Sequence, residues 1–335
     1  MARVDVFRAS LAALDAGRQV AIATVVGAKG STPRHLGARM AIASDGEQWG
    51  TIGGGQIERM VASAARDVAS GSPATVVRQH LVRDLAMCCG GSMEVAITPA
   101  EPSRDVLAQL GALAGPHALE TPLDGSPLLV RPARPGDPRM HSPDVQGDRL
   151  VERVGGAERA IVFGLGHVTR GLGPILHDLG FTVIVCDDNE TDALAAGSPA
   201  WADEVYETFD PAEVEREVGG FSADDYVLVL TRDHAIDQKL LEYLLARDAI
   251  GYLGMIGSRG KVGRFRKRLE VRGLLDGELG TARWARLRAP VGLNVGAETP
   301  DEIAVAIAAE LIAVRRLGVP AVEAWAPVRA ELGAR

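Results

Sequence analysis

The sequence predicts an α/β protein: a small N-terminal α/β domain, then a C-terminal Rossmann-like domain built on a parallel sheet. Three observations predict it. Residues 159–187 read strand, glycine turn, helix, strand, with an acidic residue at the end, which is the pattern of a dinucleotide-type βαβ unit. Apolar strands and helices continue to alternate from Trp201 to Arg272, as parallel sheets require. In the N-terminal part, a hairpin signal at Asp45-Gly46 leads into three glycines, Gly53-Gly54-Gly55, between a strand and a helix. The 335 residues fit two domains on a prior of roughly 100–200 residues each. The expected boundaries are a first domain over 1–100, a Pro-rich linker over 101–155, the Rossmann-like domain over 156–318 and a tail over 319–335.

In chain order, Phe7, Leu11 and Leu14 fall on one face of a helix over Val4 to Asp15, with Gly17 as its stop. Val20 to Val26 is a continuous β-branched apolar run, expected as a buried strand. Gly27 to Arg34 is rich in Gly, Ser, Thr and Pro and reads as a loop. There Lys29 and Arg34 are candidates to face an anion, and Ser31 and Thr32 to donate hydrogen bonds; a solvated turn is the alternative. Met40 to Ser44 and Gln48 to Ile52 form the hairpin, and a helix runs from Gln56 to about Ala69. Glycines at a helix N-terminus leave backbone N–H groups aimed at one spot, so Gly53 to Gly55 is a candidate anion site. No Gly-Lys-Ser/Thr follows, which excludes a Walker loop. Thr75 to Val82 and Ser92 to Thr98 are strands. Between them lies Cys88-Cys89-Gly90-Gly91. Adjacent thiols beside an open backbone suit a soft metal or a reactive cofactor, or they are buried small hydrophobes. The three Gly-rich loops, 27–34, 53–56 and 88–91, are expected to converge at one sheet edge.

Eight of the 18 prolines lie between Pro102 and Pro143, which predicts a linker or an edge element with one short helix near Asp105. Beyond it, Arg159 to Phe163 leads into Gly164-Leu165-Gly166-His167. The first glycine allows the turn and the second lets a phosphate approach. Thr169 stands at the third fingerprint position, where it is expected to loosen helix–strand packing. Asp187, after the strand ending at Cys186, is placed to hold a ribose hydroxyl. Thr231, Asp233, His234, Ser258 and Arg259 fall at the C-terminal ends of later strands, where ligands bind in open parallel sheets. The basic run from Arg259 to Arg268 reads as a basic or merely solvated helix face. Thr299-Pro300-Asp301-Glu302 is a helix start, with Thr as N-cap and Glu three residues on. The apolar helix that follows is expected to be buried, against the other domain or a second subunit.

Lys plus Arg total 36 and Asp plus Glu total 44, for a formal net charge of −8. This argues against nucleic acid as a partner. Three cysteines are too few for a disulfide framework, and Cys186 sits in an apolar run as a structural residue. A cytoplasmic setting is expected. The N-terminus has no apolar signal core, and no run reaches the roughly 18 apolar residues that span a membrane.

The ordered set of motifs resembles the xanthine dehydrogenase accessory factor family (XdhC/CoxI) across both domains. They are Gly30-Ser31-Thr32-Pro33-Arg34, Gly50 to Glu58, Cys88-Cys89-Gly90-Gly91, Phe163 to Val168, Thr231-Arg232-Asp233-His234, Met255 to Arg259, and Pro290 to Ala304. The resemblance implies a chaperone that receives the molybdenum cofactor, protects it while its sulfido ligand is installed, and hands it to an apo molybdenum hydroxylase. It implies a cysteine desulfurase and cofactor biosynthesis proteins as further partners, and a homodimer. In the family the cysteine before Gly-Gly is tied to cofactor binding. Here that is Cys89, the expected metal ligand, with Cys88 and Gly90 beside it. Gly53 to Gly55, Ser31 and Arg34 are then assigned to the anionic part of the cofactor. Gly164, Gly166, His167, Asp187, Asp233, His234, Ser258 and Arg259 form a second binding set, for NAD(P) or another nucleotide. The alternative function is an NAD(P)-dependent oxidoreductase, with His234 as its acid/base candidate.

Overall fold

The computed structural model describes residues 5–85, 90–134, 136–195 and 197–318. The chain divides into two units, Met1–Gly156 and Ala157–Arg335.

The first unit begins with α1 (Val6–Asp15), capped by the Asp5 carboxylate, which accepts from the amides of Phe7 and Arg8. Strands β1 (Val20–Lys29), β2 (Arg39–Ala43) and β3 (Gln48–Gly50) follow, then α2 (Gly55–Ala69), β4 (Thr75–His80), α3 (Leu81–Leu85) and β5 (Ser92–Pro99). They make an antiparallel sheet of order β3-β2-β1-β5-β4. β1 is central. Ala21, Ala23 and Val25 face a core closed by Ile57, Val61 and Val68 of α2. Val20 and Ile22 face another core, with Ala13 and Leu14 of α1. Burial on both faces explains why β1 reads as an unbroken apolar run rather than an alternating one.

Residues 101–155, expected as a linker, are folded. After a 3-10 turn (Glu101–Ser103) and α4 (Arg104–Leu110) come β6 (His117–Pro122), β7 (Leu129–Pro132), β8 (Asp144–Gln146) and β9 (Arg149–Val154). They form a four-stranded antiparallel sheet, β7-β6-β9-β8. The prolines are compatible with it because Pro122 and Pro132 are the last residues of their strands, where little of the ladder is lost. Leu119 and Leu128 enter the α1 core. Arg39 of β2 ion-pairs with Glu152 of β9 and donates to Thr121 of β6 at 3.2 Å, so the two sheets share half-buried polar contacts. The first unit therefore runs to Gly156.

The second unit contains β10 (Arg159–Phe163), α5 (His167–Asp178), β11 (Thr182–Cys186), β12 (Glu204–Tyr206), α6 (Pro211–Glu217), β13 (Asp225–Val229), α7 (His234–Leu244), β14 (Tyr252–Met255), α8 (Arg259–Val271), α9 (Gly277–Ala285), β15 (Leu287–Arg288) and α10 (Pro300–Leu317). The sheet is parallel with order β12-β11-β10-β13-β14-β15. This is the doubly wound arrangement in which the strand order reverses between β10 and β13, the point where such sheets open a ligand crevice. One face is covered by α5 and α10, through Leu172, Leu176, Ile307 and Leu311. The other is covered by α7 and α8, through Leu240, Leu244, Phe265 and Leu269. α10 is held by the expected capping box, Thr299 with Glu302. It buries its apolar face against α5 within its own unit. Cys186 is fully buried, and burial pushes its thiol pKa well up, so it is packing material. Among the described residues no helix is long and apolar enough to cross a membrane.

Candidate functional sites at the glycine loops

In the first unit, the loop after β1 is clasped between two glycine segments. Gly91 N–H donates to the Ser31 carbonyl at 2.9 Å, and the Gly91 carbonyl accepts from Leu81 N–H at 2.9 Å. A Cβ on Gly91 would lie 2.4 Å from the Lys29 carbonyl and 2.5 Å from that of Ser31. On the other side, a Cβ on Gly53 would lie 2.6 Å from Pro33 Cβ and 3.3 Å from Arg34 Cγ. The loops around 30–34, 53–55 and 90–91 thus meet, as the sequence predicts. Gly54 and Gly90 face open space, since a Cβ there would meet nothing within 4 Å. Lys29, Ser31, Arg34 and His35 are all exposed at the same place. Among the described residues none of Lys29, Arg34 and His35 has a carboxylate partner.

The expectation that Gly53 to Gly55 offers free N–H groups is corrected in part. Glu58, in the first turn of α2, reaches back to this loop. Its Oε2 accepts from Ile52 N–H at 3.0 Å, Gly54 N–H at 3.0 Å and the Thr51 hydroxyl at 2.5 Å. The Gly53 N–H donates to Thr51 Oγ1 at 3.1 Å. Burial acts to raise the Glu58 pKa, but the hydrogen bonds from Thr51, Gly54 and Ile52 outweigh it and hold the carboxyl below its ordinary value. A charge already sits at the positive helix end. The three glycines are needed for shape: Gly53, Gly54 and Gly55 have φ of 122°, 76° and 72°, a region that side chains disfavour. The cations that flank the glycine loops here are Lys29 and Arg34, both exposed. Cys88 and Cys89, the expected sulfur ligands, lie outside the described residues. Among the described residues no group of three or more His, Cys, Asp or Glu side chains converges as a metal site.

In the second unit the glycine turn after β10 meets the end of β13 at the crevice. Gly164 has φ of 107°, and a Cβ there would lie 2.6 Å from the Leu230 carbonyl and 2.9 Å from Thr231 Cα. Gly166 is the N-cap of α5, with no side-chain cap and open space where a Cβ would be; His167 is the first helical residue. Thr169 does not loosen the packing. It is 1% exposed, and its hydroxyl donates to the Gly164 carbonyl at 2.6 Å, tying the helix to the turn. Close approach falls instead at Gly173, where a Cβ would lie 2.2 Å from the Trp201 ring.

Asp187 is buried beneath the turn. Its Oδ2 accepts from Leu165 N–H at 2.7 Å and its Oδ1 from Asn189 N–H at 2.9 Å. In this arrangement it braces the glycine turn. Its neighbour Asp188 pairs with Arg232 at 2.9 Å. Asp233 caps α7, and the amides of Ala235 and Ile236 hold its carboxyl below the ordinary value. His234 is exposed at the start of α7, 6.1 Å edge-on from the Phe265 ring. Ser258 caps α8 through Lys261 N–H at 3.2 Å, and Arg259 is the first helical residue.

Sequence reasoning missed three residues. Glu58 carried a usable signal, an acid in the first turn of a helix. Asp237 and Lys261 carried none, because their partners are remote in sequence. Asp237 is fully buried, accepts from Thr231 Oγ1 at 2.6 Å and pairs with Lys261 Nζ at 2.5 Å. Burial raises its pKa in spite of both partners. This triad ties the ends of β13 and β14 together under the crevice.

Fold and site together define a two-unit protein, an antiparallel unit with clasped glycine loops followed by a Rossmann unit. Residues 160–311 match the model described as the XdhC Rossmann domain, and residues 13–79 match that of the XdhC and CoxI family. The chain belongs to the XdhC/CoxI family. It is 28% identical over 308 residues to the uncharacterized protein YqeB of Escherichia coli (strain K12). That match covers 88% of this chain and 43% of YqeB, so the chain spans less than half of that relative's length. It is 26% identical over 339 residues to a probable xanthine dehydrogenase subunit of Bacillus subtilis (strain 168), covering 91% of this chain and 96% of that one. A crystal structure described as a xanthine dehydrogenase from Bacillus halodurans superposes with a TM-score of 0.67 over 94% of this chain and 96% of that one. At 24% identity, this likeness speaks to the fold alone.

Proposed function

We propose that the protein is a carrier and insertion chaperone for the molybdenum cofactor, which is its cargo. In this reading it shelters the cofactor while a cysteine desulfurase supplies the sulfido ligand. It takes the cofactor from the biosynthesis proteins and delivers it to an apo hydroxylase of the xanthine dehydrogenase type. The observation that carries the reading is the clasp in the first unit. Gly91 and Gly53 hold the 30–34 loop between them, and Gly91 follows Cys88-Cys89 after a single residue, Gly90. The residues present suit the cargo. Gly54 and Gly90 have open space where side chains would stand, which a flat pterin requires. Lys29 and Arg34 are cations without carboxylate partners among the described residues, available to its phosphate, with guanidinium well suited to bidentate contact. The cargo supplies a metal that takes sulfur ligands, and Cys89 is the residue assigned to ligate or shield it. Ser31 is assigned a hydrogen bond to the cargo. Reconstitution tests the reading. Cofactor-loaded protein mixed with apo hydroxylase should restore activity, and a Cys89→Ala preparation made in the same way should not. Equal restoration by both refutes the role of Cys89.

The Rossmann unit supports a subordinate proposal, a nucleotide such as NAD(P) held over Gly164 and Gly166 by the uncapped N-terminus of α5. The full oxidoreductase alternative is less well supported. Both Asp187 oxygens already accept from backbone amides, so ribose recognition there would compete with the turn itself. A nucleotide-dependent rise in melting temperature without substrate turnover would fit the subordinate proposal; hydride transfer would favour the oxidoreductase.

A further inference from the structure

The chain carries net −8, yet α8 holds six Lys or Arg in 13 residues against one acid, Glu270. Two of these charges have roles in the fold. Lys261 is the buried partner of Asp237, and Arg266 pairs with Glu270 at 2.9 Å. The helix is anchored by Phe265 and Leu269, which are buried against the sheet. Three others, Arg264, Lys267 and Arg268, have neither a buried partner nor a carboxylate partner among the described residues. Arg264, Lys267 and Arg268 are exposed, and with Arg272 and Val271 they line an open trough of about 590 Å³. The trough continues into a second stretch of about 730 Å³ along α7, which shares Gln238, Arg268 and Arg272 and adds Lys239 and Arg232. Among the described residues, Arg264, Lys267 and Lys239 have no carboxylate partner, and Arg268 donates only to the neutral amide of Gln238, at 3.1 Å. The two acids of the lining are committed: Glu242 pairs with Arg272, and Asp233 caps α7.

Arg264, Arg268 and Arg272 repeat at i, i+4 and i+8, so like charges stack along one stripe about 12 Å long. Such spacing opposes helix formation, and nothing in the core asks for it. The pattern is that of a surface held ready for negative charge. We propose that the α7–α8 trough docks an acidic, partly apolar segment of a partner protein. Its carboxylates would meet Arg264, Lys267 and Arg268, and its apolar side chain would cover Val271, which is 82% exposed. Fork-shaped guanidiniums favour paired carboxylates. Nucleic acid is disfavoured because no Phe, Tyr or Trp lines the trough and the chain is acidic overall. A small anion is disfavoured because the lining cations are exposed and open to water rather than enclosed.

The test is fluorescence anisotropy on the full chain. The probe is a labelled 20-residue peptide, on the order of five helical turns, with Glu and Leu at helical spacing. The controls are a Lys-for-Glu version, single-stranded DNA of the same length, and inorganic phosphate as competitor. The Glu peptide is expected to bind with strong salt dependence. The triple variant Arg264→Glu, Lys267→Glu, Arg268→Glu is expected to bind at least about tenfold more weakly, the size of loss seen when close charge pairs across an interface are broken. The milder pair Arg264→Ala, Lys267→Ala, checked for an unchanged melting temperature, should show an intermediate loss. Binding that survives the triple variant, no binding by the wild type, DNA binding as tight as the peptide, or displacement by millimolar phosphate would each overturn the proposal.

Discussion

At Gly91 one methyl group separates two outcomes. A Cβ there would press on the carbonyls of Lys29 and Ser31 at 2.4 and 2.5 Å, whereas at Gly90 it would meet nothing within 4 Å. Gly91→Ala should therefore cost about 1–3 kcal/mol, as overpacking does, and shift the 29–32 loop. Gly90→Ala should stay within about 0.5 kcal/mol of wild type. Urea unfolding of the two variants checks this, and equal stability would mean that the clasp is not tight. The buried triad gives a second test. Lys261→Met leaves the Asp237 carboxylate without its ammonium and should cost about 3–5 kcal/mol. Replacing both, with Asp237→Leu added, should recover most of the loss; if it does not, the pair is doing something other than neutralising itself. Glu58 was partly legible from its place in the first turn of α2. Asp237 was not, since 24 residues separate it from Lys261 and no local spacing links them.

Elements with a local signature were read correctly from sequence. Thr299 and Glu302 announce α10, and Gly164 and Gly166 announce the turn into α5, because caps and turns are made by neighbours in the chain. The β6 to β9 sheet was missed for the opposite reason. Its pairings join residues far apart, such as Leu119 with Glu152, and its prolines mark strand ends rather than an unstructured connection. The sheet also carries the clearest pH-dependent contact. The Arg131 guanidinium holds the Asp137 carboxyl down at about 2, with help from the Arg134 amide. A carboxyl with a lowered folded pKa contributes stability above its unfolded value, near pH 4, and loses it as pH falls toward 2. The contribution is at most about 2 kcal/mol, from the size of the shift. Asp137→Asn should be less stable than wild type at pH 6 by no more than that, with the gap closing between pH 4 and pH 2. A gap independent of pH would show that the hydrogen-bond geometry matters and the charge does not.

At the scale of the whole molecule, the division of labour follows the chemistry of each unit. The first unit gathers glycine loops at one place with cations that have no carboxylate partner among the described residues, and Gly90-Gly91 follows Cys88-Cys89 in the chain. The second presents a Rossmann crevice braced from below by Asp187, Thr169 and the Asp237–Lys261 pair, and a basic trough along α7 and α8. The sequence made both glycine sites legible, because close backbone approach demands glycine wherever it occurs. It did not reveal that Glu58 occupies part of the first site, since that depends on a side chain folding back over its own helix terminus. The central proposal is that the first unit holds the molybdenum cofactor through Cys89. The direct measurement is the molybdenum and pterin content, per mole of protein, of wild-type and Cys89→Ala chains purified side by side from cofactor-producing cells. Both are expected in the wild type, in equal amounts, and neither in the variant; a Cys89→Ala protein that retains a stoichiometric load contradicts that proposal.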